Sequence, residues 1–140
     1  FTSSKDKNNN IVGLGADRIL SSVDSDEIKK NASSFDFIIS TVNVKLDWDL
    51  YLSIIKPRGR LHFVGAVLDK IDTSVFSLMG GRRSISGSPV GSPKNIKKML
   101  DFCVDHNIYP DVDNFKFNDI NTAIKKLREN KVRFRVVLTW

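Results

Sequence analysis

The chain has 140 residues, 41% hydrophobic and 27% charged, with a formal net charge of +6. That is enough for one domain with its own core, and no apolar run is long enough to cross a bilayer. One cysteine, Cys103, excludes an internal disulfide framework and fits a reducing, cytoplasmic setting; with His62 and His106 alone beside it, it makes no structural zinc site either.

Along the chain the pattern alternates strand and helix. Phe1-Thr2-Ser3-Ser4 reads as the end of a strand whose beginning is absent. A weak helix is expected over residues 7–14, weakened by three asparagines and Gly13, with Gly15 ending it. Arg18-Ile19-Leu20 reads as a short strand. Asp24-Ser25-Asp26-Glu27 gives a capping box for a helix to Asn31. Residues 35–40 form a strand apolar enough to lie inside a sheet.

Asp47 opens a helix whose apolar face carries Leu50, Tyr51, Ile54 and Ile55, with Pro57-Arg58-Gly59 expected to stop it. Residues 60–64 are the next buried strand, 74–80 a short helix or turn, and 83–86 another strand. Ser92-Pro93 is a strong helix start, with serine as cap and proline at the first helical position. That helix is expected to bury Ile96, Met99, Leu100 and Cys103 and to end near His106-Asn107. Residues 114–117 are extended. Residues 118–130 form a helix with Ile120, Ala123, Ile124 and Leu127 inward, and residues 132–140 a closing strand. Alternating strands and helices build a parallel sheet, which binds ligands at the carboxyl ends of its strands. The chain therefore reads as the back half of a larger dinucleotide-binding enzyme.

The basic residues are scattered as Lys29-Lys30, Arg82-Arg83, Lys97-Lys98, Lys125-Lys126 and Arg133 with Arg135. Scatter argues against a nucleic-acid face and suits a phosphorylated small molecule, which needs only two or three of these charges. Thr2-Ser3-Ser4-Lys5-Asp6-Lys7 combines hydroxyls with lysines where the second strand of a dinucleotide unit would end beside the adenine ribose. An acidic residue at that point would reject a 2′-phosphate; hydroxyls and lysines accept it, so the preference read is NADP over NAD. The same residues also suit a plain polar loop.

Ser40-Thr41-Val42-Asn43 sits where a ribose and adenine edge would lie. In Val64-Gly65-Ala66 the glycine lets backbone approach a flat ring, or simply turns the chain. Gly87-Ser88-Pro89 opens a loop whose backbone suits a carboxamide, or one that only connects a strand to a helix. Arg133 and Arg135 alternate with apolar residues and would share one strand face, facing a pyrophosphate or a salt-bridge partner. His62 reads as a hydrogen-bonded core histidine, His106 as a helix terminus and Cys103 as core filler. No pair of residues reads as nucleophile and base.

These signals occur in one order. Leu14-Gly15-Ala16-Asp17, Phe35-Asp36-Phe37-Ile38-Ile39-Ser40-Thr41-Val42, Gly59-Arg60-Leu61-His62-Phe63-Val64-Gly65-Ala66, Phe76-Ser77-Leu78, Gly87-Ser88, Met99-Leu100-Asp101-Phe102 with His106-Asn107-Ile108, and Val132-Arg133-Phe134-Arg135 resemble the C-terminal half of zinc-containing alcohol dehydrogenases. Within that medium-chain superfamily the chain is most similar to the NADP-dependent, cinnamyl-alcohol-dehydrogenase-like branch.

The resemblance implies an α/β fold: a Rossmann doubly wound parallel sheet from its second strand onward over residues 1–90, then over 91–140 a helix and tail returning to the catalytic domain. It implies that Thr2, Ser3, Ser4 and a nearby lysine, Lys5 or Lys7, hold the 2′-phosphate of NADP. Thr41 and Val42 would line the adenosine side. Val64, Gly65 and Ala66, with Gly87, Ser88 and Pro89, would face the nicotinamide, and Arg135 the pyrophosphate. Residues 74–86 would lie at a homodimer interface. The Gly-rich turn, the zinc ligands and the proton relay would all lie upstream, so no catalytic or metal residue is expected in the chain, which alone would be inactive. The reaction implied is reversible hydride transfer between an alcohol or aldehyde and NADP(H), with zinc as Lewis acid. A zinc-independent quinone or enoyl reductase and a non-catalytic nucleotide-binding remnant are the alternatives.

Overall fold

The computed structural model describes residues 1–3, 8–129, 131–132 and 134–140. Its chain divides into two compact units, Phe1–Val90 and Gly91–Trp140.

In the first unit a short helix, α1 (Asn8–Gly13), precedes an irregular stretch that ends at the buried Leu20. The strand expected at Arg18-Ile19-Leu20 does not form. Thr2 and Ser21 make one isolated parallel bridge, through Thr2 N–H to Leu20 O (3.0 Å) and Ser22 N–H to Thr2 O (2.9 Å). A strand persists only where a partner runs along it, and among the described residues the pairing here is limited to that bridge.

Helix α2 (Ser25–Lys29) starts as expected: the Asp24 carboxylate accepts from the backbone N–H groups of Asp26 (3.0 Å) and Glu27 (2.9 Å). The box is not reciprocal, because Glu27 accepts from Ser21 N–H (3.0 Å) instead. The helix also stops short of Asn31, whose side-chain amide donates to Glu27 O (2.8 Å) and takes up a carbonyl at the helix end.

The sheet follows as β1 (Phe35–Ser40), α3 (Trp48–Ser53), β2 (Ile55–Phe63), α4 (Val75–Met79) and β3 (Ser84–Gly87). Its order is β1-β2-β3, and both pairs are parallel. Asp47 caps α3 by accepting from Leu50 N–H (3.1 Å), and Ser74 caps α4 through Phe76 N–H (3.2 Å). In register, Ile39, His62 and Ser86 form one row across the sheet, and Ser40, Phe63 and Gly87 the next.

Pro57-Arg58-Gly59 does not stop α3, which has already ended at the Ile54 cap; the three residues lie inside β2. There the pairing slips: Phe35 faces Ile55, but Phe37 faces Arg60. A bulge tolerates proline, since the missing N–H falls where the ladder is already interrupted. Arg58 takes a φ of 66° and its N–H donates to Gly81 O (2.7 Å). Gly59 is required, because a side chain there would press on Ile55 and reach within 2.7 Å of Asp36 O.

One sheet face carries Ile38, Leu61 and Ile85 and packs with Ile28 of α2 and with Trp48, Tyr51, Leu52 and Ile54 around α3. Trp48, Leu52, Ile54, Ile55 and Leu61 are all but inaccessible. Residues 64–74, between β2 and α4, form a loop tied at both ends. Val64 and Gly65 N–H both donate to Ser40 O, at 3.0 and 3.1 Å. At the far end the Asp49 carboxylate of α3 accepts from the Thr73 hydroxyl and, at 3.1 Å, from Ser74 N–H. Leu68, mid-loop, is 96% exposed.

The second unit holds α5 (Pro93–Asp105), β4 (Asp113–Lys116), a 3₁₀ turn (Phe117–Asp119), α6 (Ile120–Arg128) and β5 (Val136–Thr139), with β4 and β5 parallel. Ser92 caps α5 through Asn95 N–H (3.3 Å), and the helix ends at His106. The expected inward face of α5 is not buried: Ile96, Met99 and Leu100 are exposed and Cys103 is half-buried. On α6 only Ala123 is buried and Ile120 half-buried, while Ile124 and Leu127 are exposed. Periodicity marks which side of a helix is apolar; packing partners decide whether that side is covered.

The closing strand is half as long as expected. Phe134 has a φ of 59°, in the left-handed region, so the ladder begins only at Val136. Arg135 thus lies outside the strand and is joined to β4 through its carbonyl, which accepts from Asp113 N–H (2.9 Å). Arg135 is therefore not on a strand face, and Arg133, expected to share that face, lies outside the described residues.

Candidate functional site

The carboxyl ends of β1 and β2 meet at one point. Thr41 and Val42 leave β1, and Gly65 lies against them: a Cβ on Gly65 would collide with Val42 O and come within 2.7 Å of Thr41 O. Glycine is needed here because the backbone of Thr41 and Val42 approaches so closely.

Beside these ends opens a cavity of about 470 Å³, bounded by Phe1, Thr2, Ser3, Ser22 and Val23 on one side and by residues of β1 and α3 on the other. It thus brings together Thr2, Ser3, Thr41 and Val42, four of the residues singled out in the sequence, from two segments far apart in the chain. Its wall is mostly apolar, yet three residues lining it bury polar atoms that lack a hydrogen-bond partner among the described residues: Ser40 Oγ, Trp48 Nε1 and Tyr51 OH. Burial also pushes the Tyr51 phenol above its usual pKa, keeping it protonated as a donor. Buried polar groups without partners are rare in folded proteins, and three around one cavity mark a place for a polar occupant.

Sequence reasoning missed Ser22 and Val23, which also line the cavity. The available signal was the pair Ser21-Ser22 after the apolar Ile19-Leu20, the same apolar-then-hydroxyl change that follows Phe1. Ser4, Lys5 and Lys7 lie outside the described residues.

The third strand end adjoins the second. Ser88 N–H donates to Phe63 O (3.1 Å), setting Gly87 and Ser88 alongside the start of the residue 64–74 loop. His62 of β2 joins them: its Nδ1 lies 2.8 Å from Ser86 Oγ and its Nε2 3.0 Å from Ser88 Oγ. The ring also stacks on Phe37 of β1, with centroids 5.9 Å apart. His62 is thus hydrogen-bonded, as expected, but half-buried at the strand ends rather than deep in the core. Ala66, Ser88 and Pro89 are exposed. Arg135 belongs to the second unit and is exposed there. His106 receives the structural role foreseen for it, with Nδ1 2.9 Å from Phe102 O at the end of α5.

Among the described residues, no three His, Cys, Asp or Glu side chains gather where they would hold a metal ion. The donor set for zinc is therefore not offered by the described part of this chain. No helix among the described residues is long and apolar enough to cross a membrane.

Parallel strands joined by helices, with a cavity beside their carboxyl ends, define an α/β nucleotide-binding class of fold. Residues 1–105 match the family model described as zinc-binding dehydrogenase, and the chain belongs to that family. It is 50% identical over 139 residues to the aldehyde reductase AdhA of Synechocystis, covering 99% of this chain and 41% of that protein. In structure it superposes on a cinnamyl alcohol dehydrogenase of Sorghum bicolor with a TM-score of 0.86 at 33% identity, covering 97% of this chain and 39% of the other. A cinnamyl alcohol dehydrogenase from Helicobacter pylori, solved in complex with NADP(H), gives 0.77 at 31% identity, covering 99% and 39%. The chain thus spans about a third to two-fifths of the length of the curated relatives it matches.

Proposed function

We propose that this chain is the cofactor-binding part of an NADP-dependent alcohol dehydrogenase, with residues 1–90 the nucleotide-binding domain and residues 91–140 a segment that returns to the catalytic domain. The observation that carries the reading is the crevice at the strand ends, where Thr2, Ser3, Thr41 and Val42 surround one cavity and Gly65 lies against the last two.

In this reading Thr2, Ser3, Ser4 and Lys5 or Lys7 hold the 2′-phosphate. Thr41 and Val42 border the adenosine, and Val64, Gly65, Ala66, Gly87, Ser88 and Pro89 face the nicotinamide. Arg135 contacts the pyrophosphate. The cofactor, when bound, supplies the hydride chemistry between an alcohol and an aldehyde. The chain's own residues bind and orient it: hydroxyls donate hydrogen bonds, glycine removes the obstruction to a flat ring, and the apolar cavity wall excludes water. Zinc is held by residues other than those described. Most of the pocket for the small-molecule substrate lies outside this chain.

A homodimer completes the proposal. β3 is an edge strand of the described sheet, and Val75, Phe76 and Met79 beside it are exposed. Pairing residues 74–86 with a second copy would cover both.

The test is made on the polypeptide as its cells produce it. The proposal expects a protein much longer than 140 residues, dimeric in sedimentation, holding zinc and reducing aldehydes with NADPH in preference to NADH. A native polypeptide of this length, or one that binds no nicotinamide nucleotide, would overturn it.

A further inference from the structure

Ser88 is exposed, so water could satisfy its hydroxyl at no cost to folding. Its bond to His62 Nε2 (3.0 Å) therefore answers no burial requirement; what the bond does is fix the direction of a side chain that would otherwise rotate. The ring that makes it is itself held. Nδ1 is engaged by Ser86 Oγ at 2.8 Å in the neighbouring strand, and one face stacks on Phe37. Serine hydroxyls both donate and accept, so a neutral imidazole satisfies both, one nitrogen donating and the other accepting. An apolar side chain would suit the strand position as well as histidine for packing, and would leave Ser88 free.

We infer that His62 is a positioning residue for the nicotinamide end of the cofactor site: anchored on Ser86 and Phe37, it holds the Ser88 hydroxyl, and with it the start of the turn after β3, in one orientation. The inference rests on the cofactor reading above. His62 touches no cofactor in this scheme; it acts through Ser88, by ordering in advance a group that the nucleotide would otherwise have to order on binding.

The experiment compares two ligands on the complete native protein: NADPH, and adenosine 2′,5′-bisphosphate, which shares the phosphorylated adenosine but has no nicotinamide. Calorimetry gives the dissociation constants for the unaltered protein, for His62→Val, for Ser88→Ala and for the double variant. His62→Val should weaken NADPH by about fivefold, the factor expected for one hydrogen bond of ordinary net strength, while leaving the bisphosphate unchanged. Ser88→Ala, an exposed substitution that does not threaten folding, should do the same, and the double variant should be no weaker than either single one. Equal loss for both ligands would make His62 a structural residue and overturn the inference. So would unchanged NADPH binding in either variant, or losses that add in the double variant. If the unaltered protein bound neither ligand, the cofactor reading itself would fall, and the inference with it.

Discussion

A methyl group on Gly65 would come within 2.7 Å of the Thr41 carbonyl oxygen. Backbone carbonyls at a strand end cannot swing away as a flexible side chain can, so Gly65→Ala is expected to force the first two strand ends apart. Overpacking of this kind destabilises by about 1–3 kcal/mol. Chemical denaturation measures it. A variant as stable as the parent would show that the two loops separate freely.

The polar occupant expected in the neighbouring cavity makes Tyr51 informative. Its hydroxyl is buried without a partner among the described residues, so Tyr51→Phe removes a desolvated group and leaves the ring in place. Without ligand the variant should be as stable as the parent or more so, by up to about 1 kcal/mol, as its denaturation midpoint would report. A clear loss of stability would mean that the hydroxyl has a partner after all.

Ser3 lies on the rim of the same cavity and is proposed to meet a 2′-phosphate. A carboxylate there would repel the phosphate and accept ribose hydroxyls instead. Ser3→Asp should therefore shift the ratio of NADPH to NADH affinity by about tenfold or more toward NADH. An unshifted ratio, measured by titrating both nucleotides, would remove Ser3 from the phosphate site.

Asp49 gives a prediction about pH. The Thr73 hydroxyl first, then the Ser77 side chain and Ser74 backbone, hold its carboxyl below the ordinary value of 3.8. The folded state thus binds its proton more weakly than the unfolded state. The resulting stabilisation is complete above the unfolded value and is lost as pH falls through the folded one. Asp49→Asn lacks this contribution, so the stability gap between parent and variant should be widest above about pH 5 and should narrow toward the acid limb. A gap independent of pH would contradict the assignment.

Three helix caps were legible because they are local: Asp24, Asp47 and Ser92 each accept from an N–H within three residues. The β1 strand was legible from its apolar run. The bulge at Pro57-Arg58-Gly59 was not, because proline and glycine after a helix look the same whether they end it or kink the next strand. Arg18-Ile19-Leu20 has the composition of a strand but only the Thr2–Ser21 bridge for pairing. At the site, Thr41, Val42 and Gly65 could be placed from their positions after strands. For the lining by Ser22 and Val23 the Ser21-Ser22 pair was the one local signal, and it does not say which distant segment that pair folds beside.

The loop over residues 64–74 has both ends fastened, one to the Ser40 carbonyl and the other to the Asp49 carboxylate, while Leu68 between them stands 96% in solvent. Its length is therefore uncoupled from the sheet. Closing a longer loop between two fixed points costs only about 0.6 kcal/mol for each doubling. An epitope or fluorescent reporter spliced beside Leu68 would leave the strand ends where they are, which makes this the natural point of attachment for following the protein in solution.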